Sequence, residues 1–194
     1  MSEKRKIVLA SASPRRRELL ALTGLSFTVD PSSYEEELVP AVKPRLLACR
    51  LSSEKARAVA KKHRNALIIA ADTFIVYRDH LMGKPHTEKE ALRMLCILNG
   101  RSHSVITGFT IVDTVTGKSL SKSVETKVWF RKLTKRELAS YVRTGEPLDK
   151  AGAYAIQGLG SLIVEKIEGD YFNVIGLPLS SLAKALNKFG IRLL

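Results

Sequence analysis

Short apolar segments alternate with segments of helical periodicity along the whole chain, and this alternation limits the fold more than any other feature. Such segments are separated by turn and capping residues, for example at Thr116-Gly117. Strands interleaved with helices are typical of mixed α/β proteins, in which helices cover a sheet. The predicted strands are residues 6–10, 67–71 continued by 74–77, 105–112, 124–130, 162–167 and 172–175.

The predicted helices start at recognisable capping signals. Ser13-Pro14 places a capping hydroxyl before a proline at the first helical position, and Thr87 and Thr134 each precede a glutamate by three residues, as in a capping box. Five helices are therefore expected: residues 14–24, 40–63, 87–99 and 134–144, and a last helix that begins at Pro178.

Composition narrows the class of protein. The chain has 194 residues, 45% of them apolar, which is enough for a packed core and argues against disorder. No apolar run approaches 18 residues, so a membrane span is not expected, nor is a signal peptide. The two cysteines, Cys49 and Cys96, both fall in helical patterns, which favours a reducing, cytoplasmic location over a disulfide scaffold.

The charge balance points to an anionic partner. There are 32 Lys and Arg against 19 Asp and Glu, a net charge of +13. Nucleic acid, anionic lipid and nucleotide phosphates all fit that excess. Because no aromatic residues interleave with the basic clusters, a base-stacking nucleic-acid surface is not expected.

The first candidate site follows the first predicted strand. Ser11 and Ser13 precede a helix that begins at Pro14, and Arg15 and Arg16 lie in its first turn. A helix start has unpaired N–H groups and a positive dipole end, which suit a bound anion. Arginine adds forked donors that match phosphate oxygens. The alternative is an ordinary capped surface helix with exposed arginines.

Further candidates are charged residues outside that unit. Asp72 comes directly after an apolar run, which predicts a carboxylate at the carboxyl end of a buried strand, where it can bind Mg²⁺ or act on water as a base. The acidic run at residues 35–37 can supply a second carboxylate, and Lys55 and Lys84 are candidate phosphate contacts. The structural alternatives are an aspartate that caps a turn and a solvated acidic loop.

The last candidate is the segment of residues 145–158. Its glycines and proline predict a defined loop, and Tyr154 has a buried character. Gln157 carries an amide with one acceptor and two donors, which is enough to read the edge of a base.

Several motifs occur together and in order: Leu9-Ala-Ser-Ala-Ser-Pro-Arg-Arg16, Glu54-Lys55-Ala56, Ala71-Asp72-Thr73, Gly83-Lys84-Pro85, Gly145-Glu-Pro-Leu-Asp-Lys-Ala-Gly152 and Ile156-Gln157-Gly158. Taken together they resemble the Maf family of nucleoside triphosphate pyrophosphatases, from Ile7 to about Leu186. The segment between Tyr77 and Met82 departs from the family pattern, and we expect a different surface hairpin there.

The resemblance implies a fold and a reaction. The expected fold is one α/β domain over residues 1–194, an elongated mixed sheet flanked by helices, in two lobes with a central cleft, similar to the inosine triphosphate pyrophosphatases. The implied reaction cleaves a nucleoside triphosphate with water into monophosphate and pyrophosphate. It depends on a divalent metal, Mg²⁺ with Mn²⁺ or Co²⁺ as alternatives. A homodimer is compatible with the resemblance.

The resemblance also implies roles for particular residues. Asp72 is the expected catalytic proton acceptor and, with Glu36, the expected metal ligand. The residues expected to bind substrate are Ser11, Ser13, Arg15, Arg16, Lys55, Thr73, Lys84 and Gln157. Among these, Arg15, Thr73 and Gln157 are the expected specificity residues.

Gln157 also favours one branch of the family. An amide can donate to O4 and accept from N3–H of thymine or uracil, whereas a carboxylate only accepts, which suits guanine. We therefore expect dTTP and UTP as substrates, with CTP or modified pyrimidine nucleotides as extensions and 7-methyl-GTP as the alternative. The rival class is a basic nucleic-acid-binding regulatory protein, which the net charge of +13 indicates. The resemblance adds an association with septum formation and division arrest, so a regulatory role alongside catalysis stays open.

Overall fold

A computed structural model describes residues 5–34, 42–78 and 80–194 of the chain. Seven strands in that part of the chain form one mixed sheet. They are β1 (Lys6–Leu9), β2 (Thr28–Val29), β3 (Ala66–Tyr77), β4 (His80–Met82), β5 (Ser102–Asp113), β6 (Ser119–Phe130) and β7 (Val164–Glu168). The strand order is β2-β1-β3-β5-β6-β7, and β4 pairs with β3.

Parallel and antiparallel pairings coexist in the sheet. β1 is parallel to both β2 and β3, and its pairing with β3 runs from Lys6 opposite Ala66 to Leu9 opposite Ile69. β4 is antiparallel to the end of β3, and β7 is antiparallel to β6. The hairpin of β3 and β4 confirms the surface hairpin expected after Tyr77.

Six α-helices accompany the strands. They are α1 (Pro14–Ala21), α2 (Pro44–Ala60), α3 (Glu88–Leu98), α4 (Lys135–Arg143), α5 (Tyr171–Ile175) and α6 (Leu179–Leu186). Short 3-10 turns cover Glu146–Asp149, Ala151–Ala153, Gly158–Leu162 and Asn187–Phe189. The predicted mixed α/β class is confirmed.

The capping signals are mostly confirmed. Ser13 caps α1 by accepting a bond from the Arg16 N–H, and Thr134 with Glu137 forms a complete capping box at α4. Thr87 accepts from the Glu90 N–H as expected. The Glu90 carboxylate, however, accepts from the His86 N–H at 2.7 Å. The prediction of a complete box at Thr87 is therefore wrong.

The clearest error concerns residues 172–175, which form helix α5 and not a strand. The Asp170 carboxylate accepts from the Asn173 N–H at 3.1 Å and so caps a helical turn. Gly169 precedes it with φ +127°, which turns the chain out of β7. The apolar character of the segment alone could not reveal that cap.

Several boundaries also differ from the predicted ones. Strands β5 and β6 begin at Ser102 and Ser119, before the predicted residues 105 and 124. Helix α1 ends at Ala21, because the chain then turns to Gly24 through i→i+3 hydrogen bonds. Helix α2 covers Pro44–Ala60, so the predicted span of residues 40–63 was too long, and residues 40 and 41 lie outside the described residues. The strand predicted at residues 162–167 is Val164–Glu168.

The described residues divide into two compact units. The first contains those up to Asp72 with Thr107–Val124 and Gly176–Leu194, and the second contains those of Thr73–Ile106 and Glu125–Ile175. In the first unit, α2 packs so closely on β5 that a Cβ on Gly108 would lie 2.1 Å from the Ala48 carbonyl oxygen. A core cluster of that unit consists of Val8, Ala10, Ala56, Val59, Ala66, Ile68, Ala70 and Val112.

The second unit has a separate and larger core, built around α3, α4 and the strand segments of that unit. Its largest members include aromatic side chains from β6, from α4 and from the turn that follows α4. The buried members are Ile75, Met82, Ala91, Leu95, Leu98, Val105, Val128, Phe130, Leu133, Leu138, Tyr141, Val142, Ala153, Tyr154 and Ile163.

Candidate active site

Asp72 and Lys55 form a buried ion pair in the first unit. The Lys55 Nζ donates to Asp72 Oδ1, and the two residues are 9% and 4% exposed. Alternation along β3 puts Asp72 on the same face as Ala70, which packs in one cluster with Ala56 and Val59 of α2. Lys55 is adjacent to Ala56 and four residues before Val59, so it also lies on the packed side of the helix.

Asp72 lies within β3 and not at its carboxyl end, so that part of the prediction is wrong. The parallel pairing with β1 stops at Leu9 and Ile69, three residues before Asp72, and pairing with β4 begins at Ile75. Asp72 thus follows the end of the parallel ladder. The strand continues past that point, with β5 as its other neighbour in the sheet and β4 as an antiparallel partner from Ile75 on.

A buried pair of opposite charges is costly to place in a protein interior. Each ion loses its hydration, and the attraction between them only compensates when geometry and further hydrogen bonds are favourable. The core cluster that includes Ala56, next to Lys55, and Ala70, two residues before Asp72, consists of alanine, valine and isoleucine side chains. Ionisable groups held in such surroundings are characteristic of functional sites.

The segment between β1 and α1 is closed by its own side chains. The Ser11 Oγ accepts from the Ser13 N–H and from the Arg16 guanidinium, both at 3.3 Å. The Arg16 Nε donates to the Gly176 carbonyl oxygen at 2.9 Å. Arg15 is half-buried. Ser11, Ser13 and Arg16 are therefore brought together at the start of α1, as the sequence predicted.

The remaining predicted residues belong to the second unit. Lys84 is exposed, and its neighbour Gly83 accepts from the Gly152 N–H at 2.9 Å, which ties this segment to the loop after α4. Gln157 is exposed at the start of a 3-10 turn that its side chain does not cap. Thr73 is half-buried and, as the residue after Asp72, belongs to the opposite face of β3.

Glu36, the second predicted metal ligand, lies outside the described residues. Within residues 5–34, 42–78 and 80–194, no group of three or more His, Cys, Asp or Glu side chains is arranged to hold a metal ion. Asp72 is the predicted metal ligand that the described part of the chain contains.

Glu146 has a structural role that the sequence did not predict. Its carboxylate contacts backbone N–H groups of the turn that follows Gln157. The two glycines of that turn, Gly158 and Gly160, were the available signal, because glycine marks places where another group approaches the backbone closely.

A family comparison accounts for the whole set of motifs. The family model described as Maf-like protein matches residues 6–189, which is nearly the whole chain. The chain belongs to the Maf family. The predicted resemblance is confirmed.

Individual Maf relatives are similar over all or nearly all of their length. A protein of Thermoanaerobacter sp. (strain X514) is 54% identical over 191 residues, which cover 97% of this chain and 100% of the relative. Methanosarcina barkeri and Moorella thermoacetica have relatives that are 52% and 50% identical, with 95% and 96% of each relative covered. All three are named dTTP/UTP pyrophosphatase.

Two further properties of this Maf chain concern its surroundings. No helix in the described residues combines the length and the apolar character that crossing a bilayer requires. Cys49 and Cys96, half-buried and exposed respectively, are both free thiols.

Proposed function

We propose that this protein hydrolyses dTTP and UTP to the monophosphate and pyrophosphate. The observation that carries the proposal is the buried pair of Asp72 and Lys55, just past the point where the parallel pairing of β1 and β3 ends. Ligands of open α/β sheets bind beyond the carboxyl ends of parallel strands. Membership of the Maf family and the names of its relatives support the same reaction.

Asp72 is the proton acceptor of the reaction. A water oxygen attacks the α-phosphorus while its proton passes to the Asp72 carboxylate, and the bond to the oxygen that bridges the α- and β-phosphorus breaks. Pyrophosphate leaves with that oxygen. Lys55 donates to one carboxylate oxygen, so the Asp72 side chain is already oriented before water arrives.

The start of α1 binds the phosphate chain. Ser11, Ser13, Arg15 and Arg16 follow β1 directly, and the N-terminal end of a helix favours negative charge. The Arg16 guanidinium already contacts Ser11 and the Gly176 carbonyl oxygen, so its main effect is to fix the shape of this turn. Lys84 adds a further positive charge toward the phosphates.

Asp72 and Glu36 are the residues that would hold a divalent cation. Mg²⁺ is commonly bound by one or two carboxylates together with substrate phosphates, so Asp72, joined by Glu36 and the nucleotide, is a sufficient donor set. When bound, the cation would neutralise charge on the phosphate oxygens. Oxygen ligands suit Mg²⁺ and Mn²⁺ better than softer metals, while Co²⁺ remains an alternative.

Gln157 reads the base. Its exposed amide pairs with O4 and N3–H of thymine or uracil, and Arg15 and Thr73 act with it on specificity. Once a bound base covers the amide, a purine edge would leave polar groups unpaired, and sites that depend on hydrogen bonds discriminate strongly for that reason.

Further parts of the proposal rest on the resemblance and on composition. They are a single domain of two lobes over residues 1–194, a homodimer and a cytoplasmic location. The two free thiols, Cys49 and Cys96, are consistent with that location.

Product analysis with Mg²⁺ tests the function. The panel is dTTP, UTP, CTP, GTP and 7-methyl-GTP, and we expect monophosphate and pyrophosphate from dTTP and UTP. Asp72→Asn should lower kcat at least about 1,000-fold. The matched control is Asp113→Asn, because Asp113 is also a buried aspartate of the first unit, paired with Arg5 at 2.7 Å.

Each outcome separates the alternatives. Asp113 is far from Asp72. Its neighbour Thr114 donates to the Ala66 carbonyl oxygen, and Ala66 is six residues, or about 20 Å, from Asp72 along β3. Asp113→Asn should therefore keep activity within a few-fold. Cleavage of 7-methyl-GTP alone would refute the assignment of Gln157. If the folded protein cleaves none of the nucleotides, the reaction is refuted, and salt-dependent DNA binding becomes the measurement for the rival class.

A further inference from the structure

We propose that Glu146 is a positioning residue for base selection, because it holds the segment that carries Gln157 in one conformation. Glu146 is half-buried and begins the 3-10 turn Glu146–Asp149, directly after Gly145. This inference rests on the proposed function, since it assumes that Gln157 contacts the base. It assigns Glu146 no contact with substrate.

The Glu146 carboxylate accepts hydrogen bonds from the backbone on the far side of Gln157. Its Oε1 accepts from the Gly160 N–H at 2.9 Å, and its Oε2 accepts from the Leu159 N–H at 3.1 Å. Hydrogen bonds to an ionised acceptor are about twice as strong as neutral ones. One carboxylate therefore holds two successive peptide groups that follow the base-reading residue.

Tyr141 extends the same contact to the near side of Gln157. Its Oη donates to Glu146 Oε1 at 2.8 Å and accepts from the Ala155 N–H at 3.2 Å. Burial raises the pKa of Tyr141, as does the bond to Glu146, although the bond from Ala155 lowers it. The phenol therefore keeps its proton and donates it toward the carboxylate. Residues 155, 159 and 160 are thus held on both sides of Gln157 by one connected pair of side chains.

Two glycines make this arrangement sterically feasible. Gly158 has φ +64°, and a Cβ there would lie 2.6 Å from Glu146 Oε2. At Gly160 a Cβ would lie 2.0 Å from the Ala155 carbonyl oxygen and 2.7 Å from the Tyr141 Oη. The backbone after Gln157 therefore lies too close to Glu146 and Tyr141 for a side chain at either position.

Glu146 affects the reaction by fixing the backbone that carries Gln157, not the Gln157 side chain itself. The Gln157 side chain is exposed and does not cap the following turn, so its direction depends on the backbone that carries it. Without Glu146 that backbone can change conformation, and the amide no longer meets a pyrimidine in one orientation. Contacts to the base are equal in the ground and transition states, so their loss should raise KM and leave kcat nearly unchanged.

The test compares Glu146→Ala with a control that is matched for structural damage. Glu137 also accepts a backbone N–H and a hydroxyl, those of Thr134, and it helps to cap α4 at the end opposite Tyr141. Activity is measured for wild type, Glu146→Ala, Tyr141→Phe, Gln157→Ala and Glu137→Ala with dTTP, UTP and GTP. Thermal unfolding and amide hydrogen exchange are recorded for each.

We expect Glu146→Ala to raise KM for dTTP about tenfold and to lower the dTTP:GTP ratio of kcat/KM about tenfold. Tyr141→Phe should act in the same direction, and the amides of Ala155, Leu159 and Gly160 should exchange faster in both variants. Glu137→Ala should lower the Tm with the ratio unchanged.

The experiment separates a failure of this inference from a failure of the proposed function. If wild type cleaves dTTP and Gln157→Ala changes the ratio, but Glu146→Ala has the selectivity of wild type, Glu146 is not a positioning residue. Unchanged exchange at the three amides would also exclude that role, independently of activity. If Gln157→Ala leaves the ratio unchanged, or wild type cleaves no pyrimidine nucleotide, the proposed function itself is wrong.

Discussion

We expect the protein to lose stability in mild acid because His103 is buried in its neutral form. It lies in the second unit at 3% exposure, and burial lowers its pKa from 6.5 to about 4. Its Nε2 lies 2.8 Å from the Tyr154 Oη, and the Phe130 and Tyr154 rings meet its ring edge to face, with centroids 4.9 and 5.3 Å away. Burial raises the pKa of Tyr154, so the phenol carries no charge that could stabilise an imidazolium.

The size of the loss follows from the two pKa values. A difference of one between the pKa values of the folded and unfolded states changes the free energy of unfolding by about 1.4 kcal/mol. The difference between 6.5 and about 4 therefore corresponds to about 3 kcal/mol. The unfolded chain binds the proton first, because the pKa of its His103 is the higher one. The contribution is therefore complete above pH 6.5, falls as pH decreases, and is lost by about pH 4.

Urea unfolding between pH 4 and pH 7 measures this effect. The wild type should lose about 3 kcal/mol more than His103→Gln across this range, because glutamine keeps a polar partner for Tyr154 and does not titrate. His80→Gln removes an exposed histidine and should follow the wild-type curve. Parallel curves for wild type and His103→Gln would refute the reasoning.

Three other substitutions have effects on stability that urea unfolding can measure. Lys55→Met removes the ammonium from the buried Asp72 carboxylate and should cost about 3–5 kcal/mol, part of which a second change, Asp72→Asn, restores. If the costs of the two changes simply add in the double variant, the two side chains are not coupled. Burial acts to raise the pKa of Asp113. Hydrogen bonds from Thr116 and from backbone N–H groups, together with the Arg5 charge, outweigh that effect, so the pKa of Asp113 is lowered below 3.8. Asp113→Asn should therefore be less stable than wild type by about 2 kcal/mol near neutral pH, and the difference should disappear as pH falls through that lowered pKa. Gly108→Ala should cost about 3 kcal/mol, because its Cβ would collide with the α2 backbone, and a cost below about 1 kcal/mol would show that the helix can move away.

Local signals in the sequence were enough for most of the fold. The caps at Ser13 and Thr134 depend on residues three positions apart, and the strand patterns depend on alternation, so both are visible in a short window. The segment Tyr171–Ile175 was assigned wrongly because its apolar residues suit a strand. The segment is helical because the Asp170 carboxylate caps its first turn.

The site was only partly predictable, since its contacts join residues far apart in sequence. Asp72 was found from its position after an apolar run and from the family motif, but its pairing with Lys55, 17 residues away, depends on how α2 packs on β3. Lys55 was expected to contact phosphate and was not expected on a carboxylate. Glu146 was missed because its partners lie 13 and 14 residues further along the chain.

The division of the chain separates the ion pair of Asp72 from the hydrogen bonds that Glu146 makes after Gln157. The boundary between the two units falls on β3 directly after Asp72. The ion pair with Lys55 and the turn at Ser11 and Ser13 lie wholly in the first unit, whereas Gln157 and the Glu146 contacts lie wholly in the second. A substitution in the loop after α4 therefore alters none of the hydrogen bonds described for Asp72, because those bonds are made within the other unit. If Asp72 accepts the proton and Gln157 reads the base, as proposed, substitutions in residues 145–160 should change base preference and leave proton transfer at Asp72 intact, and the loop glycines limit which replacements still fold.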